Sequence, residues 1–185
     1  MPLRAAVVLS SALLLSACAS RKAKEAAANE PTPEEIEAVC AERACRPDTP
    51  QRVQVDATHV WDGVYPRSPY VAGPGVVVIL PGESFELAAT PKADGTIDAM
   101  KVVPEGGDIK LVVTTKEGMT ILRVSTTYDR PLHYCAYINV PGVGRVKTSI
   151  VGVFPGTFGA EMWQDPITEL ILTDFRLTDE RTECR

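Results

Sequence analysis

The chain has 185 residues, with 19 basic against 24 acidic side chains and a net charge of −5. An acidic balance lacks the basic footprint that nucleic acid requires, and it does not draw a folded domain flat onto anionic lipid. The length suits a single domain, and no internal repeat suggests a solenoid.

The first element is an apolar run, Ala5 to Leu15, which follows Arg4 and is interrupted only by Ser10 and Ser11. A basic start, a short apolar core and small residues at a cut site are the marks of an export signal. A bilayer-spanning helix needs about 20 apolar residues, more than this run supplies. The run closes on Leu15-Ser16-Ala17-Cys18, which resembles the lipobox of bacterial lipoproteins. That resemblance is confined to the N-terminal segment. It implies cleavage before Cys18 and lipidation of the Cys18 thiol. In that family an aspartate after the cysteine often goes with inner-membrane retention. Here the residue is Ala19, so the expected place is the outer membrane, with the domain facing the periplasm.

Residues 1–17 thus read as a signal peptide and 18–32 as the lipidated cysteine with a flexible tether. The tether has no apolar stripe to bury, and fully extended it reaches about 45–50 Å. Its Arg21, Lys22 and Lys24 suit anionic headgroups, at about 1 kcal/mol each; a plainly solvated linker fits the same residues.

Residues 33–185 read as a short helix followed by a β-domain. Thr32 caps the helix, Pro33 takes its first position and Glu35 completes a capping box. Ile36, Val39 and Cys40 share one helical face, and Pro47 and Pro50 prevent continuation. From residue 51 onward, short alternating segments are punctuated by Gly and Pro. Val53 and Val55 open the series, and Val76 to Leu80 is an unbroken apolar run suited to a strand covered on both faces. Phe85, Leu87 and Ala89 alternate with polar or small neighbours, as do Ile109, Leu111 and Val113. A weaker strand falls at 97–103, and Leu122 with Val124 marks another. The clearest alternation is Leu132, Tyr134, Ala136, Ile138 and Val140. Strands at 147–154 and 169–177 complete the set, the last with Ile171, Phe175 and Leu177 on one face. About eight or nine short strands predict a mainly β protein, an antiparallel β-sandwich preceded by one short helix.

Four cysteines besides Cys18, in an exported chain, read as two disulfides. Three connectivities are open. The favoured one joins Cys40 to Cys45 in a small local loop and Cys135 to Cys184, tying the C-terminal tail over the strand face opposite Tyr134 and Ile138.

Chemical motifs are sparse. His59 and His133 are the two histidines, and neither pairs with a cysteine at zinc-finger spacing, so no metal site is expected. Ser84 lacks the second glycine of a nucleophile elbow. Asp94 and Asp98 flank a polar turn without the calcium-loop pattern. No catalytic residue and no cofactor is expected, and the reading leans away from an enzyme. It favours a non-catalytic envelope lipoprotein that binds or scaffolds another envelope component, a protein or a glycan. The alternatives are a periplasmic hydrolase and a small-ligand carrier.

The expected binding residues sit on two long loops. Residues 58–75 hold Trp61, Tyr65, Arg67 and Tyr70, and residues 155–167 hold Phe158, Met162 and Trp163. Loops longer than about 12 residues tend to be functional or disordered, and Trp, Tyr and Arg dominate binding hot spots. The competing expectation is that these rings plug an open end of the sandwich.

Overall fold

A computed structural model describes residues 32–148, 152–180 and 184. The expected signal peptide, Cys18 and nearly all of the tether lie outside the described residues. The chain divides after Glu35 into two units, and the β-structure lies in the second, from Ile36 onward.

Helix α1, Pro33–Glu42, opens on a closed capping box. The Glu35 N–H donates to Thr32 Oγ1 at 3.2 Å and the Thr32 N–H donates to Glu35 Oε2 at 2.7 Å. Ile36, Val39 and Cys40 are its half-buried positions. The Cys40–Cys45 disulfide folds the chain back into β1, Cys45–Arg46.

The next segment corrects the first expected loop. Residues 58–75 are largely β-structure. Strand β2, Thr49–Gln54, pairs with β3, Val60–Tyr65, as an antiparallel hairpin. Strand β4, Ser68–Pro69, pairs with β1, and β5, Val71–Gly73, pairs with β6, Val76–Ile79. The Gly and Pro residues signal interruptions, but a period of two runs through them. Trp61, Gly63 and Tyr65 turn inward, while Val60, Asp62 and Val64 are exposed.

Eight further strands follow. They are β7 (Ser84–Pro91), β8 (Ile97–Val103), β9 (Ile109–Lys116), β10 (Met119–Thr126), β11 (Leu132–Val140), β12 (Gly144–Lys147), β13 (Phe158–Trp163) and β14 (Glu169–Leu177). Two five-stranded antiparallel sheets result: β13-β10-β9-β7-β8 and β12-β11-β14-β6-β5. The fold is the expected antiparallel sandwich. Its core lies between the sheets. Leu87, Ile109, Leu111, Leu122 and Val124 of the first meet Val77, Ile79, Tyr134, Ala136, Leu170 and Leu172 of the second. Sheet two also buries its outer face locally, where Val78, Leu80 and Ile171 pack with Tyr65 and Tyr137. This explains the unbroken apolar run at Val76 to Leu80, which needs cover on both sides.

Three other expectations change. Residues 155–167 are not a loop, because β13 pairs along its whole length with β10. The strand placed at 147–154 begins earlier. A tight turn, with the Val143 N–H donating to Val140 O, sets Gly144 opposite Val140 and ends the ladder at Lys147. Residues 149–151 lie outside the described set, and Val153 makes a single bridge to Leu132. In β14, Ile171 does not share a face with Phe175 and Leu177. Asp174 has a φ of 54° and the register slips opposite His133 and Cys135. This bulge shifts the alternation by one residue, so Leu170, Leu172, Phe175 and Leu177 face the main core and Ile171 faces out. Cys135 bonds Cys184 on the outer side of β11, as expected from its register.

Candidate functional site

The aromatic residues chosen from the sequence fall into different environments. Tyr65 and Tyr70 flank a buried guanidinium. Arg46 is 1% exposed, with its guanidinium carbon 4.5 Å from the Tyr70 ring centre and 5.4 Å from that of Tyr65. Its Nε donates to Glu83 Oε1 at 2.8 Å and its Nη2 to Glu83 Oε2 at 3.0 Å. Nη2 also donates to Val78 O at 2.7 Å, and Nη1 to Ser68 Oγ at 3.1 Å. The second Glu83 oxygen further accepts the Leu80 N–H at 2.7 Å. Burial, then the neighbouring Glu169 carboxylate, pushes the Tyr65 hydroxyl well above its usual range. Arg67 ties the hairpin to α1 through Glu37 at 2.6 Å, and its N–H donates to Asp48. Three of the four candidates on this segment are therefore engaged in holding the N-terminal elements together.

Trp61 remains half-exposed. Its ring lies across Gly63, where an added Cβ would sit 2.4 Å from the indole.

The alternation of β13 separates the second group. Phe158 and Met162 point outward, at 61% and 63% exposed, while Glu161 is buried and Trp163 packs against the core. Arg123 lies over the Phe158 ring at 5.6 Å. Strand β13 ends its sheet's order, beyond β10, so this outward row borders a sheet edge.

Neither histidine forms a catalytic arrangement among the described residues. His59 Nδ1 lies 2.8 Å from Asp56 and 3.0 Å from Thr58 Oγ1 at the exposed hairpin tip. A catalytic triad places the nucleophile and the orienting acid on opposite nitrogens of the basic imidazole, whereas the hydroxyl and the carboxylate here meet the same one. The Thr58 backbone N–H, foremost, with the Thr58 hydroxyl and His59, holds Asp56 below the usual carboxylate range. His133 is half-buried, and desolvation pushes its pKa down. Asp98 pairs with Lys92 at 2.5 Å, and Asp94 accepts the Thr96 N–H. Ser84 is an exposed strand residue. No cluster of three or more potential metal ligands occurs among the described residues.

Besides the Arg46 joint, two arrangements escaped sequence reasoning. One is Glu161, 6% exposed inside the sandwich. Its Oε2 has a marginal contact with Thr148 Oγ1 at 3.5 Å, and its Oε1 has no hydrogen-bond partner. The Tyr134 hydroxyl is close enough to be raised by this carboxylate as well as by burial, yet forms no bond of normal geometry. Burial pushes the Glu161 carboxyl up.

The other is a cleft of about 360 Å³ between the β2–β3 hairpin and the adjoining end of the sandwich, lined by residues 52–54, Thr115, Thr120 and residues 165–167. Val53, on its hairpin wall, pairs with Trp61, and Thr120, on its sandwich wall, pairs with Trp163. The two tryptophans thus stand one ladder partner away from the same cleft. Only a cross-strand register reveals this, and the registers were not readable from the sequence. No protein-family model, characterised protein or solved structure matches the chain, so its function must be argued from these residues.

Proposed function

We propose that the protein is a lipoprotein of the bacterial outer membrane, held by the lipidated Cys18, with its sandwich on the periplasmic side. There it serves as a non-catalytic binding or scaffolding module for another envelope component. The lipobox order of residues 15–18 supports the anchor. The two disulfides support an oxidising compartment. The binding role rests on one observation above all, the outward row of Phe158 and Met162 along the outermost strand of its sheet. Such an edge offers both apolar contact and backbone hydrogen bonds to a partner.

The test has two arms. Cys18→Ser expressed in a bacterial envelope should abolish labelling by a radioactive fatty acid and leave the chain out of the membrane fraction. Normal processing and membrane retention would remove the anchor. Phe158→Ser with Met162→Ser should keep the unfolding temperature while abolishing co-purification of the envelope component retained by the wild type. An unchanged set of co-purifying components would remove this edge as the binding surface.

A further inference from the structure

We infer that the cleft between the β2–β3 hairpin and the sandwich binds a neutral polyhydroxylated ring, the chemistry of a sugar. This goes beyond the binding of an envelope component at the β13 edge, and it stands on a different part of the molecule. Thr120 is 3% exposed and lines the cleft. Its hydroxyl is not among the sealed, unpartnered polar atoms and so keeps access to the cleft, where it can exchange water for a ligand hydroxyl. Thr115, directly opposite it on β9, lines the same wall. Paired residues of a ladder share a face, so the two hydroxyls stand side by side.

The remaining lining selects the ligand class. Arg52 and Asp165 bring one charge of each sign. A phosphate would meet the carboxylate and a cation the guanidinium, so a neutral ligand fits better than an ion. Arg52 is open, with Asp62 3.9 Å away. Asp165 has no ion pair among the described residues and can accept bonds from adjacent hydroxyls. Val53, Pro166 and Ile167 supply an apolar wall for C–H faces. A wholly apolar ligand would leave Thr120 unpaired, whereas a ring with alternating C–H and O–H groups satisfies both walls. The volume is at the small end for ligand pockets, about 300–1,000 Å³, which suits one or two rings.

The ring can come from a free saccharide or from a glycan polymer, and the experiment separates them. The full chain, in a detergent without a sugar headgroup, is titrated with N-acetylchitobiose and with maltose while tryptophan fluorescence is recorded. In parallel it is sedimented with purified peptidoglycan sacculi. Binding of a disaccharide at a Kd of about 1 mM or tighter, or co-sedimentation with sacculi, is expected. Thr120→Val, which keeps the side chain's shape, and the exposed Asp165→Asn should each weaken it about tenfold. Asp165→Asn guards against the chance that the buried change disturbs folding. Failure to bind either disaccharide or sacculi overturns the inference, and so does binding that both variants leave unchanged. Neither result bears on the Cys18 anchor or the β13 edge, which are read by fatty-acid labelling and co-purification.

Discussion

Arg46 and Glu161 are both almost sealed from water, at 1% and 6% exposed, yet only the arginine has a partner at every polar side-chain atom. Its guanidinium meets a carboxylate through two bonds, a backbone carbonyl, a serine hydroxyl and two tyrosine rings. Glu161 has one long contact to Thr148, and its other oxygen makes no bond of normal geometry although the Tyr134 hydroxyl is near. A buried charge with a partner at every nitrogen holds the elements around it in one arrangement. A buried carboxylate left short of bonds destabilises its site and rises in pKa instead. The first therefore reads as a structural joint between the N-terminal ladder and sheet two. The second is an inward-facing acid on the outermost strand β13, held in the core without the bonds that would satisfy it.

The largest expected effect follows from the joint. Arg46→Ala should lower stability by about 3–5 kcal/mol, because it strands Glu83 and the Val78 carbonyl. Urea unfolding of wild type and variant checks this. A loss below about 1 kcal/mol would mean that Glu83, which keeps some solvent contact, simply rehydrates, and the contrast with Glu161 would fail on the arginine side.

An opposite sign is expected at Glu161. Glu161→Gln should raise stability near neutral pH by about 1–2 kcal/mol. The carboxyl is raised from its ordinary 4.5 by burial. Below that ordinary value both folded and unfolded chains hold the proton, and the acid costs no more than its amide. As pH rises through the raised folded value, the unfolded chain has already released its proton, and stability falls. The advantage of Glu161→Gln should therefore vanish near about pH 4 and grow toward about pH 8. Thermal melts across that range measure it, and a pH-independent difference would show that Glu161 is not the titrating group.

Legibility in the sequence tracked distance along the chain. The capping box at Thr32 and Glu35 spans three residues and was readable. So was β11, whose alternation is carried by its own nine residues. The cysteine pairing was favoured from context, and the structure selects it. Part of β2 was read at Val53, but β3 and its pairing were lost because Gly63 and Pro66 outweighed a real period of two. The Arg46 joint gathers partners from 22, 32 and 37 residues away, and no local pattern announces them. Glu161 was hidden because residues 155–167 read as a loop, and only the pairing of β13 with β10 turns its side chain toward the core. Thr120 was hidden for a related reason. A hydroxyl beside Ile121 and Leu122 carries no signal until the ladder places it under the hairpin.

The smallest effect tests whether the incomplete site is truly incomplete. Tyr134 is buried with its ring 5.8 Å from that of Phe175, the two planes inclined by 29°. Tyr134→Phe keeps this packing and removes only the hydroxyl. Removing a buried hydroxyl that makes a good bond costs about 0.5–1.5 kcal/mol. Here the hydroxyl lacks a bond of normal geometry, so the change should be within about 0.5 kcal/mol of neutral. Combined with Glu161→Gln in a double-mutant cycle, the coupling should likewise fall below about 0.5 kcal/mol. A loss near the upper end of the usual range, with strong coupling to residue 161, would mean that the two groups share a proton in a proper bond. Glu161 would then be a second satisfied joint, and its difference from Arg46 would be one of degree.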